Sequence, residues 1–213
     1  MSVWGRIFAA MYDRMMEGPE KAGLRAHREA LIANANGDVL EIGGGTGANL
    51  PFYSSGVHKL TVTEPEAPMA KRLARHLQER ELPAQLVQAP AEKLPFEDGS
   101  FDAAVSTLVL CTVTDPDRAL SEIHRVLRPG GRLLFIEHVR SENPRVARWQ
   151  DRMLGINKRF GHGCNCNRRT LENIRSAGFE VDDLANDELA KAPPWVRPLI
   201  VGSARANGGA GAP

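Results

Sequence analysis

The densest chemistry in the chain lies near position 40. Glu41-Ile42-Gly43-Gly44-Gly45-Thr46-Gly47 sets a carboxylate at the end of the apolar run 39–42 and follows it with alternate glycines, Gly43, Gly45 and Gly47. A tight strand-to-helix turn needs glycine for its positive φ and because no Cβ then blocks a ligand lying on the backbone. Two ligand classes fit. Gly43-x-Gly45-x-x-Ala48 matches a dinucleotide fingerprint, with Glu64 ending the next strand to hold a ribose. A sulfonium nucleoside fits as well, and charge separates the two. A pyrophosphate at this helix N-terminus would meet Glu41 at close range. S-adenosylmethionine brings a sulfonium and an α-ammonium, which Glu41 favours directly or through water. Glu64 suits the ribose hydroxyls in either case.

Methyl transfer from a sulfonium is an in-line displacement, so the protein chiefly aligns the acceptor and excludes water. A base is needed only where the acceptor is protonated. Glu137-His138 ends a strand, and His138 has the pKa range of a general base, with Glu137 able to take or attract the same proton. A purely structural strand-end histidine is the competing reading. Cys111 and Thr112 follow another strand and either face substrate or pack in the core. The run His162-Gly163-Cys164-Asn165-Cys166-Asn167 sets three metal-ligand types at alternate positions. It lacks a CxxC pair and a fourth ligand, so no metal is expected, and a Cys164–Cys166 disulfide would close a strained ring. The expectation is a loop that presents His162 and Cys164 to substrate, with Asn167 capping the next helix. Arg145, Arg148, Arg152, Lys158 and Arg159 read as a solvated helix face, with an acidic-substrate patch as the alternative.

Two further segments resemble the class I S-adenosylmethionine-dependent methyltransferases. They are Ala91-Glu92-Lys93-Leu94-Pro95-Phe96-Glu97-Asp98-Gly99-Ser100-Phe101-Asp102 and Leu120-Ser121-Glu122-Ile123-His124-Arg125-Val126-Leu127-Arg128-Pro129-Gly130-Gly131. With the glycine loop, the resemblance covers about 37–139. It implies that Ala91 offers its backbone N–H to adenine, with Glu92 beside it, although Pro90 stands where many members carry an acid. It further implies that Thr107 and Leu108 line the methionine end, and that Tyr12, in Tyr12-Asp13-Arg14, closes over the cofactor from a lid helix. Met69 packs on the nucleoside or in the core.

A narrower resemblance runs to about residue 204. Leu108-Val109-Leu110-Cys111-Thr112-Val113, Glu137-His138-Val139, Trp149-Gln150-Asp151, Gly163-Cys164-Asn165 and Trp195-Val196-Arg197-Pro198 are similar, in this order, to the methyltransferase-like-seven group of alkyl thiol S-methyltransferases. That likeness implies a thiol acceptor, methylated for detoxification or self-protection. Thiols ionise near pH 8.5, so modest help yields a good nucleophile. Methylation of oxygen, nitrogen or carbon on a small metabolite, quinone or lipid headgroup is the runner-up. A non-catalytic cofactor-binding protein and a dehydrogenase are the rivals from other classes. Anchored members carry an additional hydrophobic N-terminal segment that this sequence lacks.

These side chains need a framework. Apolar runs at 39–42, 60–63, 84–88, 102–106 and 132–138 alternate with helical stretches at about 47–53, 67–80 and 116–127, the signature of a parallel sheet with crossover helices. Helices are also expected at about 3–15 and 19–34, the second opening after Gly18-Pro19, and over 143–176 with a break at 161–167. Phe179-Glu180-Val181 and Leu199–Ala204 read as a terminal antiparallel pair. The fold class is therefore α/β, a Rossmann-like seven-stranded mixed sheet with helices on both faces. One domain spans 1–206: lid helices at 1–36, a cofactor half at 37–139 and a substrate side at 140–206. A disordered tail at 207–213 is expected.

The bulk numbers agree. A chain of 213 residues, 42% hydrophobic and 25% charged, fits one globular domain. A net charge of +1 gives no reason to expect a nucleic-acid partner. The apolar stretch Val3–Tyr12 is too short to span a membrane. Three cysteines cannot all pair, and no secretory signal precedes them, so a reducing cytoplasm is expected. The partner implied is a small molecule, and oligomeric state is not legible.

Overall fold

A parallel sheet covered by helices on both faces demands strands that are apolar throughout, and this chain supplies them. The computed structural model describes residues 3–79, 84–161 and 163–207. Its strands are β1 (Gly37–Ile42), β2 (Val57–Thr63), β3 (Ala84–Val87), β4 (Phe101–Thr107), β5 (Leu127–His138), β6 (Phe179–Glu188) and β7 (Pro198–Ala206). They form one sheet in the order β3-β2-β1-β4-β5-β7-β6. The first five are parallel, and β7 runs antiparallel between β5 and β6. The expected terminal pair is therefore present, with β6 longer than the run 179–181 suggested.

Helices α1 (Val3–Pro19), α2 (Arg25–Ile32), α3 (Ala67–Gln78), α4 (Pro116–Val126), α5 (Pro144–Phe160) and α6 (Thr170–Ser176) accompany it. The two-residue period of β5 divides the core. Leu133 and Phe135 pack with Leu120 and Ile123 of α4 and Ile174 of α6. Leu134 and Ile136 pack on the other face with Ile32 of α2 and Leu73 of α3. All four β5 side chains are fully buried.

Three local expectations change. The second helix does not open at Pro19, which ends α1 with helical dihedrals. The break falls in a wide turn over Glu20–Leu24, where Gly23 takes φ 141°, a value a side chain would resist. The stretch 47–53 is a series of turns ending in a short 3-10 turn at Leu50–Phe52, with Pro51 removing an N–H that a longer helix would need. Asn167 does not cap α6: Arg169 stands at that position, and the Asn167 amide donates to Asp151 instead at 2.9 Å. Asp115 does cap α4, accepting from the Arg118 N–H at 3.0 Å. At the far end, the Asn207 N–H bonds the Gly178 carbonyl, so Asn207 is tied to the fold, and the rest of the expected tail lies outside the described residues. Among the described residues no helix is long and apolar enough to cross a membrane.

Candidate active site

Strand β1 lies between β2 and β4, so the connections on its two sides leave in opposite directions. Ligands bind at such a switch point, beyond the carboxyl ends of the strands. A cavity of about 700 Å³ lies there, walled by residues following each of β1 to β4 together with His138 at the end of β5. Cavities of several hundred Å³ hold a cofactor-sized ligand.

At one end, Gly43, Gly45 and Glu64 line the wall, with Met69, Ala91 and Glu92 beside them. Gly45 has φ 57°, and a Cβ built on it would meet nothing within 4 Å, so the backbone is open to a ligand. Glu64 accepts the Gly45 N–H at 2.9 Å and the Glu66 N–H at 2.8 Å, one on each carboxylate oxygen. Burial raises its pKa, against the pull of those N–H groups. This arrangement decides between the two ligand classes. A pyrophosphate needs the loop N–H groups, and the Gly45 donor is already committed to a carboxylate. An acceptor-only carboxylate with lone pairs to spare suits a ribose diol. The residues present therefore fit S-adenosylmethionine and argue against a dinucleotide.

Helix α1 is held at the cavity by more than Tyr12. Tyr12 lines the cavity and packs with Ala9 and Met69, and burial raises its phenol. Next to it, the Asp13 carboxylate accepts the Thr46 hydroxyl at 2.6 Å and lies 3.5 Å from Arg72 of α3. Helix α1 is thereby fastened to the glycine loop itself.

Two expectations about that loop are corrected. Gly47 does not line the cavity; at φ 94° its missing Cβ makes room for Leu50 and Leu73, so it serves packing. Glu41 does not line it either. Its carboxylate accepts Tyr53 Oη–H at 2.9 Å and Asn49 Nδ2–H at 3.0 Å, behind the loop. Arg28 completes the network, donating to Asn49 at 2.7 Å, Thr107 at 2.8 Å and Glu20 at 2.9 Å. Burial pushes the Glu41 carboxyl up to about 7, with Tyr53, Asn49 and Arg28 opposing. Arg28, Asn49 and Tyr53 were missed by sequence reasoning, because no spacing rule links positions 28, 41, 49 and 53.

The other end of the cavity is formed by the turn after β4. Thr107, Leu108, Val109 and Cys111 line it, with Cys164 and His138. Leu108 sits at φ 61°, a costly backbone state for a side chain of this size. Glu137 accounts for its persistence. Its carboxylate accepts the Ser106 hydroxyl at 2.7 Å, the N–H groups of Val109 and Leu110 at 3.0 Å each and the Cys111 N–H at 3.2 Å. It is buried outside the cavity lining, and four donors occupy its oxygens. The role of proton acceptor expected of Glu137 is therefore replaced by that of a clamp on the turn.

His138 does line the cavity, and its Nδ1 is buried without a hydrogen-bond partner. Burial lowers its pKa to about 4, against smaller opposing effects of the Pro198 and Val196 backbone. A neutral imidazole at every physiological pH accepts a hydrogen bond but is a poor proton sink, which corrects the general-base expectation. Cys111 and Cys164 meet as hydrogen-bonded thiols; this contact and burial push Cys111 up, and the same contact lowers Cys164. Cys166 turns elsewhere, its Sγ accepting from Asn157 at 3.0 Å. His162, also expected at this end, lies outside the described residues.

Sheet order and the cavity at its switch point define a Rossmann-like fold with room for a nucleoside-bearing cofactor. Residues 40–135 match the family model described as a methyltransferase domain. Human thiol S-methyltransferase TMT1B is 38% identical over 194 residues, which is 89% of this chain and 77% of the relative. The UbiE ubiquinone/menaquinone C-methyltransferase of Hahella chejuensis is 37% identical over 66% of this chain and 59% of its own length. In fold, the geranyl diphosphate C-methyltransferase of Streptomyces coelicolor superposes with a TM-score of 0.67 at 16% identity, covering 85% of this chain and 76% of that one. The chain belongs to the class I S-adenosylmethionine-dependent methyltransferases, in the group that includes TMT1B. It is an enzyme that transfers a methyl group to a small molecule.

Proposed function

We propose that the acceptor is a small thiol, methylated on sulfur. The observation that carries this reading is the composition of the acceptor end. Cys111, Cys164 and neutral His138 stand there among Leu108, Val109 and Val196, while the carboxylates Glu41 and Glu137 are turned away. A weakly hydrated sulfur nucleophile suits such a wall, with no fixed anion to repel the thiolate. The likeness to TMT1B supports the same choice.

Bound S-adenosylmethionine supplies an electrophilic methyl carbon on its sulfonium. Glu64 holds the ribose, Tyr12 covers the ligand and keeps water out, and the turn at Leu108–Cys111 sets the acceptor's position. His138, buried and neutral, closes the acceptor end as an uncharged part of its wall. Because His138 stays neutral, the reactive thiolate fraction follows the acceptor's own ionisation, near pH 8.5 for an alkyl thiol. Three unpaired thiols in the chain fit a reducing cytoplasm.

The test is turnover with a panel of thiols, phenols and amines, reading the methylated product by mass. Thiols should turn over, with a pH–rate inflection that moves with each thiol's pKa. Turnover of phenols or amines with no thiol methylated would sink the proposal.

A further inference from the structure

Helix α5 carries two exposed stripes that the active site does not use. At about 100° per residue, Ala147, Gln150, Leu154 and Asn157 share the side turned to the body of the protein. Trp149, Met153, Ile156 and Phe160, at i, i+4, i+7 and i+11, share another. Trp149 is 51% exposed, Ile156 50% and Phe160 56%, large values for such side chains. Trp149 is held in place, stacked on Trp195 with ring centroids 6.1 Å apart.

Beside the apolar stripe lies a basic one. Arg145, Arg148, Arg152 and Arg159 fall on adjacent helix angles, and all are exposed. Among the described residues none of these four enters a salt bridge. Arg152 lies 5.9 Å over the Trp149 ring, so the two stripes touch. The helix's one carboxylate, Asp151, is neutralised by a two-pronged contact with Arg140 at 2.6 and 2.8 Å. The protein as a whole carries only +1, so this positive face is a local concentration.

An exposed apolar stripe bearing Trp and Phe, flanked by cations free of acidic partners, is the pattern of a helix lying in a bilayer interface. We propose that the outer face of α5 docks on an anionic membrane surface. The arginines meet lipid phosphates, and Trp149, Ile156 and Phe160 enter the acyl boundary. Charge complementarity selects an anionic bilayer over a neutral apolar partner. The stripe ends next to Gly161, which lines the cavity together with Met15 of α1, itself 51% exposed. Docking would thus bring the cavity rim to the lipid. The docking face is independent of which acceptor the cavity takes.

The experiment is co-sedimentation of the full chain with vesicles of phosphatidylcholine alone and of phosphatidylcholine rich in phosphatidylglycerol. The protein should pellet with the anionic vesicles, and less so as salt is raised. Each cation near such a surface contributes roughly fivefold in binding, so Arg148→Glu with Arg152→Glu should weaken it by on the order of 25-fold or more. Ile156→Glu should weaken it by on the order of tenfold. Lys158→Glu, turned about 80° or more around the helix from the arginines toward the body of the protein, should stay within about threefold. Thermal melts check that the exposed substitutions leave the fold intact. Equal binding to both vesicle types, no binding to either, or unchanged binding in both stripe variants would overturn the proposal. So would a concentration-dependent dimer that Ile156→Glu abolishes without any vesicle binding, since a second copy would then be the occupant.

Discussion

Asp13 of α1 accepts a hydrogen bond from Thr46 of the glycine loop at 2.6 Å, joining the N-terminal helix to the loop that follows β1. The same carboxylate lies 3.5 Å from Arg72, so three elements meet on one side chain. Because Asp13 is half exposed, the bond's contribution is discounted to about 1 kcal/mol, roughly fivefold in an equilibrium. Thr46→Val and Asp13→Ala should each raise the dissociation constant for S-adenosylhomocysteine by about that factor, while melting temperature moves little. Calorimetric titration checks it; unchanged affinity in both variants would show that the lid closes without this bond.

Glu137 separates a clamp from a base. Glu137→Gln preserves an oxygen for Ser106, Val109 and Leu110 and loses chiefly the Cys111 N–H bond. Glu137→Ala strands three backbone donors in the interior, at a cost of about 3–5 kcal/mol. The expected result is a folded, active Gln variant with an unchanged pH–rate profile and an Ala variant that is severely destabilised. A Gln variant that folds normally yet loses turnover altogether would restore the base assignment.

How far the sequence foretold this site depends on the distance between partners along the chain. The glycine loop was legible because Glu41 to Gly47 are consecutive and their geometry is local. The strands were legible because a parallel sheet imposes continuous apolar runs. Which way Glu41 and Glu137 point was not legible. Both end strands, where a side chain faces either the cleft or the layer behind it, and the choice was made by Tyr53 and Asn49 for one and by the turn at Leu108 for the other. Arg28 was unreadable for the same reason, since its partners lie 8, 21 and 79 residues away. The stripe on α5 was in plain sight as a spacing, but only exposure distinguishes a docking face from a core face.

Burial of Glu41 has a consequence for stability against pH. Its folded pKa, about 7, lies above the 4.5 of the free side chain, so between those values the native state binds more protons than the unfolded one. Its contribution therefore favours the fold at low pH and is lost as pH rises through 7. Glu41→Gln removes this dependence. The difference in unfolding free energy between Gln variant and parent should move in the variant's favour from pH 5 to pH 8, by at most about 3 kcal/mol. Urea unfolding at both pH values measures it, and a difference that is flat or moves the other way would mean that Glu41 stays ionised in the folded protein.

The three thiols should differ sharply in reactivity. Alkylation needs a thiolate and access to it. Cys111 is fully buried, and both its hydrogen bond to Cys164 and its burial push its pKa up. Cys166 is buried as well, and its pKa is pushed up to about 11. Cys164 is partly exposed, lines the cavity and is lowered by Cys111, so it carries what negative charge the pair holds. Limited treatment with iodoacetamide at neutral pH should therefore label Cys164 first, as peptide mapping would read. Cys111→Ala, by removing the hydrogen bond that lowers Cys164, should slow that labelling while leaving the protein folded. An S-adenosylmethionine analogue together with a bound thiol should protect Cys164 if it faces the acceptor. Labelling of Cys166 ahead of Cys164, or labelling of Cys164 that the Cys111→Ala substitution leaves untouched, would mean that Cys111 does not activate the Cys164 thiol.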